Sequence, residues 1–276
     1  MTVAAATARK YWVIFSIAIV DRFTYRTDFF FATLMRFLPI VTTIFLWSAI
    51  FEGSSKKEIA GLTRNGIVAY YLLTMIGRAF SSMPGLAASI ASDVRTGQLK
   101  KYLTQPVSLI GYLLASRGAH KLVYYGVAIG PFGLVFWLCR GYFPGWPSAL
   151  TMTCFLASLL LAFIIGFAFE ALIGLMSFWV LEISSFNYIF ITLIYVLSGH
   201  MFPLDLAPEP WRTILKATPF QYLAYYPAML FLHGDSLSTA ELARQMAIEF
   251  LTALGLMAIV YWIYRAGLRR YSAYGG

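Results

Sequence analysis

The chain has 276 residues, of which 60% are hydrophobic, 17% aromatic and only 12% charged, against roughly 25% charged in soluble domains. That composition excludes water as the main solvent, and a bilayer core about 30 Å thick asks for apolar runs of about 20 residues. The net charge of +9 comes from 21 basic residues spread over short connectors, as membrane insertion requires, so nucleic acid is not implied as a partner.

Residues 1–30 read as an interfacial helix, because Tyr11, Trp12, Phe15, Ile19 and Phe23 fall at helical spacing while Asp21, Arg22 and Arg26 are too polar to cross hydrocarbon. The same charges argue against a cleavable signal, so the N-terminus is expected to be uncleaved. Six transmembrane helices are then predicted, over 31–51, 66–90, 109–138, 148–178, 186–201 and 246–264. The first two are interrupted by Arg36 and Arg78, and the second is expected to kink at Pro84-Gly85. Between spans two and three, residues 92–106 are polar and read as a connector helix capped at Ser92 or Asp93. Residues 202–245 hold five prolines between Phe202 and Ser238 and are predicted as short helices re-entering from the outer side. The whole is an all-α integral membrane domain.

Six spans put both termini on one side. Arg9, Lys10, Arg22, Arg26, Arg95, Lys100, Lys101, Arg265, Arg269 and Arg270 then share that side, against Lys56, Lys57, Arg64, Arg140, Arg212, Lys216 and Arg244 on the other. The bias favours termini in the cytoplasm and a chain in the cytoplasmic membrane. Cys139 and Cys154 lack C-x-x-C spacing, and His120, His200 and His233 have no i, i+4 partner, so neither a disulfide framework nor a metal site is expected. No G-x-x-x-x-G-K-[ST] loop occurs, so ATP hydrolysis by that route is excluded, and no catalytic cluster is visible.

Three segments resemble the permease subunits of type-2 ABC exporters. The connector DVRTGQLKKYLTQPVS carries the acid, basic, x, Gly, x, Leu, then Leu and Pro pattern, through Asp93, Arg95, Gly97, Leu99, Leu103 and Pro106. The most specific part pairs Phe178 with Trp179, sets Ser198-Gly199 before Pro203, and continues as Pro219-Phe220-x-Tyr222-x-x-Tyr225-Tyr226-Pro227. The tail GLRRYSAYGG is the third. They are most similar to the six-span subgroup whose operons often encode two permeases and one ATPase. One departure is Asp93, where many relatives carry glutamate.

The resemblance implies that the connector is the coupling helix, docking a cytoplasmic ABC ATPase through Asp93, Arg95, Gly97, Leu99, Lys100, Lys101 and Leu103. It implies further that ATP and magnesium belong to that partner, and that a second permease chain, different or identical, completes the path among the membrane lipids. Glu170, alone among more than thirty uncharged residues, is either a substrate group or a helix pairing with Arg36 or Arg78. With Phe178, Trp179, Tyr188 and Tyr195 it suggests a pathway for amphiphilic drugs or organic cations. The alternatives are an autonomous carrier or channel driven by an ion gradient, which needs paired ionisable groups at the midplane, and an intramembrane enzyme.

Overall fold

Serines set where the long helices begin: Ser108, Ser148 and Ser238 each accept, through Oγ, the backbone N–H three residues on, at 3.1, 3.3 and 3.2 Å. The computed structural model describes residues 3–23, 35, 37–54, 58–59, 61–104, 107–180 and 182–271. In chain order the elements are α1 (Val3–Phe23), α2 (Leu38–Glu52), the two-residue strands β1 (Glu58–Ile59) and β2 (Leu62–Thr63), α3 (Arg64–Ser81), α4 (Leu86–Arg95) and α5 (Lys100–Leu103). Then follow α6 (Leu109–Leu138), α7 (Ala149–Leu175), α8 (Ser184–Leu197), α9 (Trp211–Ala217), α10 (Tyr225–His233) and α11 (Thr239–Arg270). Short 3-10 turns join several of them, and β1 pairs antiparallel with β2 through a turn at Gly61.

The expectation of six spans is overturned. Among the described residues three helices are long and apolar enough to cross a membrane: Leu109–Leu138, Ala149–Phe178 and Thr239–Arg270. The physical reasons differ from place to place. α2 begins with a proline in its first turn, ends at Gly53 and has 15 residues, a rise of about 22 Å. The predicted 66–90 span does not kink but breaks: Ser82 is extended and Gly85 takes φ +75°, so α3 stops at Ser81 and α4 starts afresh. α8 has 14 residues, about 21 Å. The 109–138 and 148–178 bounds match closely, whereas the last helix starts at Thr239 rather than 246 because Ser238 caps it. The hairpin also departs from a purely helical chain. Arg26, Arg36 and Pro106 lie outside the described residues, so the stretch before α2 and the end of the connector are not described.

α7 is the centre. It buries residues from Thr151 to Leu175 on several faces and packs against α11, α4, α3 and α10. Two of its glycines permit the closest approaches. A Cβ at Gly166 would lie 1.9 Å from the Ser81 carbonyl oxygen, and one at Gly174 2.8 Å from Ile90. The broken α3–α4 segment thus seats its backbone on α7. α1 lies along α6, with Tyr11 Oη 3.4 Å from Ser108 Oγ.

The apolar core divides into two ends. Trp47, Leu62, Tyr70, Phe155, Leu204, Leu215 and Tyr225 gather at one. Met83, Ile90, Leu99, Tyr102, Leu109, Phe178 and Tyr264 gather at the other. Residues 204–236 form short α and 3-10 helices. They reach along α3 as far as Gly77, whose Cβ would stand 3.0 Å from the Leu223 carbonyl, and Phe220 stacks on Phe169 at 4.7 Å.

Candidate functional site

The connector is not a single helix over 92–106. α4 runs to Arg95, the chain turns through Gly97 at φ +73°, a value favouring glycine, and α5 follows. The turn is closed by its own groups. The Leu99 N–H donates to the Asp93 carbonyl at 2.9 Å, Lys101 Nζ lies 3.3 Å from Asp93 Oδ1, and Tyr102 Oη donates to Asp93 Oδ2 at 3.4 Å. Asp93 therefore ties the two short helices together, a role its carboxylate fills as well as the longer glutamate would. Leu99 is fully buried and Tyr102 nearly so, both in the lower core, which leaves Lys100, Lys101 and Leu103 on the outer surface.

Arg95 reaches across to Glu182 at 3.0 Å. Glu182 was not singled out from sequence. It lies between α7 and α8, and the Ser184 hydroxyl and amide, with Arg95, hold its carboxyl below the usual range. An exposed pair of this kind adds little to stability, but it ties the connector to the start of α8. The sequence-predicted coupling residues thus divide into a buried anchor, Leu99, an internal brace of Asp93 with Lys101, and an outward face of Lys100 and Leu103.

Glu170 meets neither of the arginines considered for it. Arg36 lies outside the described residues and Arg78 points elsewhere. The Glu170 carboxylate instead lies within hydrogen-bonding reach of the Ala87 amide, and Arg117 is the cation whose field reaches it. Ala87 is in the first turn of α4, whose N-cap Gly85 offers no side-chain acceptor. A carboxyl there lies beside a backbone donor left by the break and near the positive end of the α4 dipole.

The other side of the break is covered by α6. Arg117 Nη1 donates to the Pro84 carbonyl at 2.8 Å, and Lys121 Nζ donates to the Ala79 carbonyl. These cations take carbonyls that the interrupted α3–α4 ladder leaves open. Beside them lies a cavity of about 130 Å³ lined by Met83, Pro84, Arg117, His120, Lys121 and Tyr124.

A second buried carboxylate escaped the sequence reading. Glu249 on α11 is fully buried, and Ser158 of α7 donates to its Oε1 at 2.9 Å. Its Oε2 has no partner among the described residues. Position 249 fell inside the expected span 246–264 and was not singled out there; the packing of α11 on α7 reveals its burial.

The aromatic pathway candidates separate. Phe178 is buried, wedged against Gly267 of α11. Trp179, Tyr188 and Tyr195 are exposed at 43%, 77% and 42%. Tyr188 and Tyr195 belong to α8, which contains no buried residue although most of its side chains are apolar. At its far end the chain is pinned to α3: Tyr70 Oη donates to the Gly199 carbonyl at 2.6 Å and Tyr71 Oη to that of Met201 at 2.9 Å.

Among the described residues no three His, Cys, Asp or Glu side chains come together as metal ligands. No curated protein matches the chain. A family profile described as "ABC-2 family transporter protein" matches residues 37–275. Long apolar helices around a buried α7, a braced polar connector and a match over nearly the whole length lead to one conclusion: this multi-pass helical membrane protein is a permease belonging to the ABC-2 transporter family.

Proposed function

We propose that this chain is the membrane-spanning subunit of an ATP-driven exporter whose ATPase is a separate polypeptide docking on residues 93–103. The observation that carries the reading is the construction of the connector. Asp93, Lys101 and Tyr102 brace it, Leu99 anchors it beneath and Glu182 ties it to the start of α8, while Lys100 and Leu103 face outward. A merely solvated loop needs none of these ties. A block held this way passes a push from a soluble motor directly to α4, α7 and α8.

The charge distribution supports a cytoplasmic connector. Arg9, Lys10, Arg95, Lys100, Lys101, Arg265, Arg269 and Arg270 belong to its end of the molecule, with Asp93 and Glu182 as the acids. The opposite end carries Lys56, Lys57, Arg64, Arg140, Arg212, Lys216 and Arg244, several of them in longer connectors where the bias counts less. The Lys and Arg bias therefore favours a cytoplasmic connector, with both termini on the same side and the chain in the cytoplasmic membrane. ATP and magnesium act on the partner subunit. The uncovered face of α8 is the surface for a second permease chain, and substrate moves outward between the two; outward direction rests on the resemblance to exporters.

Purification in lipid with the ABC ATPase encoded beside its gene tests this. A stable complex that turns over ATP faster than the ATPase alone is expected. Absence of any complex would favour a carrier driven by an ion gradient, to which the partly unpartnered Glu249 carboxylate is suited.

A further inference from the structure

The acidic groups inside the helices are both committed to the chain's own packing, Glu170 beside the first turn of α4 and Glu249 on Ser158. The uncovered side of the molecule carries the opposite charge. Arg78 is exposed on α3, 14 residues from Arg64, which places it about 21 Å along that helix. The α3–α4 segment continues to Arg95, so Arg78 sits near its middle, between the two ends of the molecule. An arginine so placed in a membrane protein is found facing a protein interior or a water-filled path.

Its surroundings are built rather than incidental. The Arg78 guanidinium stands over the Tyr195 ring of α8, 5.4 Å from the centroid. Tyr195 in turn stacks on His200, with centroids 6.0 Å apart and planes 13° apart. His200 is buried; Ser198 Oγ engages its Nδ1 at 2.6 Å, and its Nε2 has no partner among the described residues. None of the ion pairs among the described residues involves Arg78. A fixed cation and a flat aromatic surface therefore lie together where α3 and α8 face outward from the bundle, with the buried His200 ring stacked on Tyr195.

We propose that Arg78, Tyr195 and His200 recognise the anionic group of an amphiphilic substrate, so that the transported class is organic anions, a carboxylate or phosphate on an apolar body. This deepens the exporter reading and rests on it for the direction of movement. It replaces the organic cation suggested by Glu170, whose carboxylate is turned to α4. The guanidinium supplies two parallel donors to a carboxylate or phosphate, the Tyr195 ring supports the apolar body, and exclusion of water strengthens both contacts.

The test uses two dyes that share a xanthene frame and differ in charge, anionic fluorescein and cationic rhodamine 6G. Their binding to the full chain in phosphatidylcholine nanodiscs is read by fluorescence anisotropy. Saturable fluorescein binding is expected, weakened about tenfold or more by Arg78→Gln and by a smaller factor by Arg78→Lys, which keeps the charge but loses the paired donors. Rhodamine 6G should not lose affinity in Arg78→Gln. Should Arg78→Gln melt early, Tyr195→Leu serves instead and is expected to weaken fluorescein several-fold. Absence of saturable fluorescein binding to the native chain, or affinity unaltered by these changes, overturns the proposal. ATP turnover with the partner ATPase is measured on the same preparations. Intact turnover with failed dye binding removes only the anion site; dye binding without any ATPase complex removes only the exporter reading.

Discussion

Gly166→Ala is expected to destabilise this protein by about 3 kcal/mol, the upper part of the range for overpacking a core. The added methyl would stand 1.9 Å from the Ser81 carbonyl oxygen and 2.7 Å from its carbon. Those are backbone atoms at the end of α3, and no rotamer change moves them aside. α3 must lift off the central helix, and with it the break at Ser82–Gly85 that positions α4 and the connector. The expected result is a clear fall in the thermal midpoint in lipid and loss of monodisperse protein. Gly126→Ala is the control. No atom lies within 4 Å of its added Cβ, and removing a helical glycine gains up to about 1 kcal/mol. A native midpoint in Gly166→Ala would mean that α3 does not contact α7 as described.

The second large effect is on coupling. Lys100→Glu combined with Leu103→Glu should abolish stimulation of the partner's ATP hydrolysis while the chain keeps its midpoint within about 0.5 kcal/mol of native stability. Both side chains are exposed, Leu103 at 49%. One change reverses a charge, and the other puts a charge where a groove would desolvate an apolar anchor. Losses of 2 kcal/mol or more are typical when an interface anchor is removed, so association should fall by about thirtyfold or more. Leu99 is the wrong residue for this experiment. It is fully buried in the lower core, so Leu99→Asp would unfold the connector and say nothing about docking. Undiminished association of the double variant would remove the outward face from the interface.

The parts of this fold that follow from sequence are those fixed by local signals. The 109–138 helix is bounded by Ser108, which caps it, and the 148–178 helix by Ser148 and a long uncharged run. The extension of the last helix to Thr239 was also legible, since Ser238 with Glu241 three residues on is a capping pattern. That stretch was assigned instead to the proline-rich 202–245 region, whose prolines end at Pro227. The count of six failed because apolar character says nothing of where a helix breaks, at Ser82–Gly85 within 66–90, or ends early, at Ser198 within 186–201.

The candidate site was legible in its motif and not in its partners. Asp93, Lys101 and Tyr102 meet because they lie within one short segment. Arg95 with Glu182, Glu170 with Ala87, Ser158 with Glu249 and Arg78 with Tyr195 each join residues far apart in the chain. No periodicity reports such pairings. They depend on the break at Pro84-Gly85 and on the close seating that Gly166 and Gly174 allow.

The central claim is that the connector is where the motor docks, and photocrosslinking tests it most directly. Benzoylphenylalanine is placed at position 103, replacing Leu103, and separately at position 146, replacing Trp146, which is 86% exposed and belongs to the opposite end. Irradiation of membranes holding the chain with its ATPase should give an adduct of the summed mass from position 103 and none from position 146. No adduct from position 103 in membranes where the ATPase is present, or equal adducts from both positions, would contradict the account.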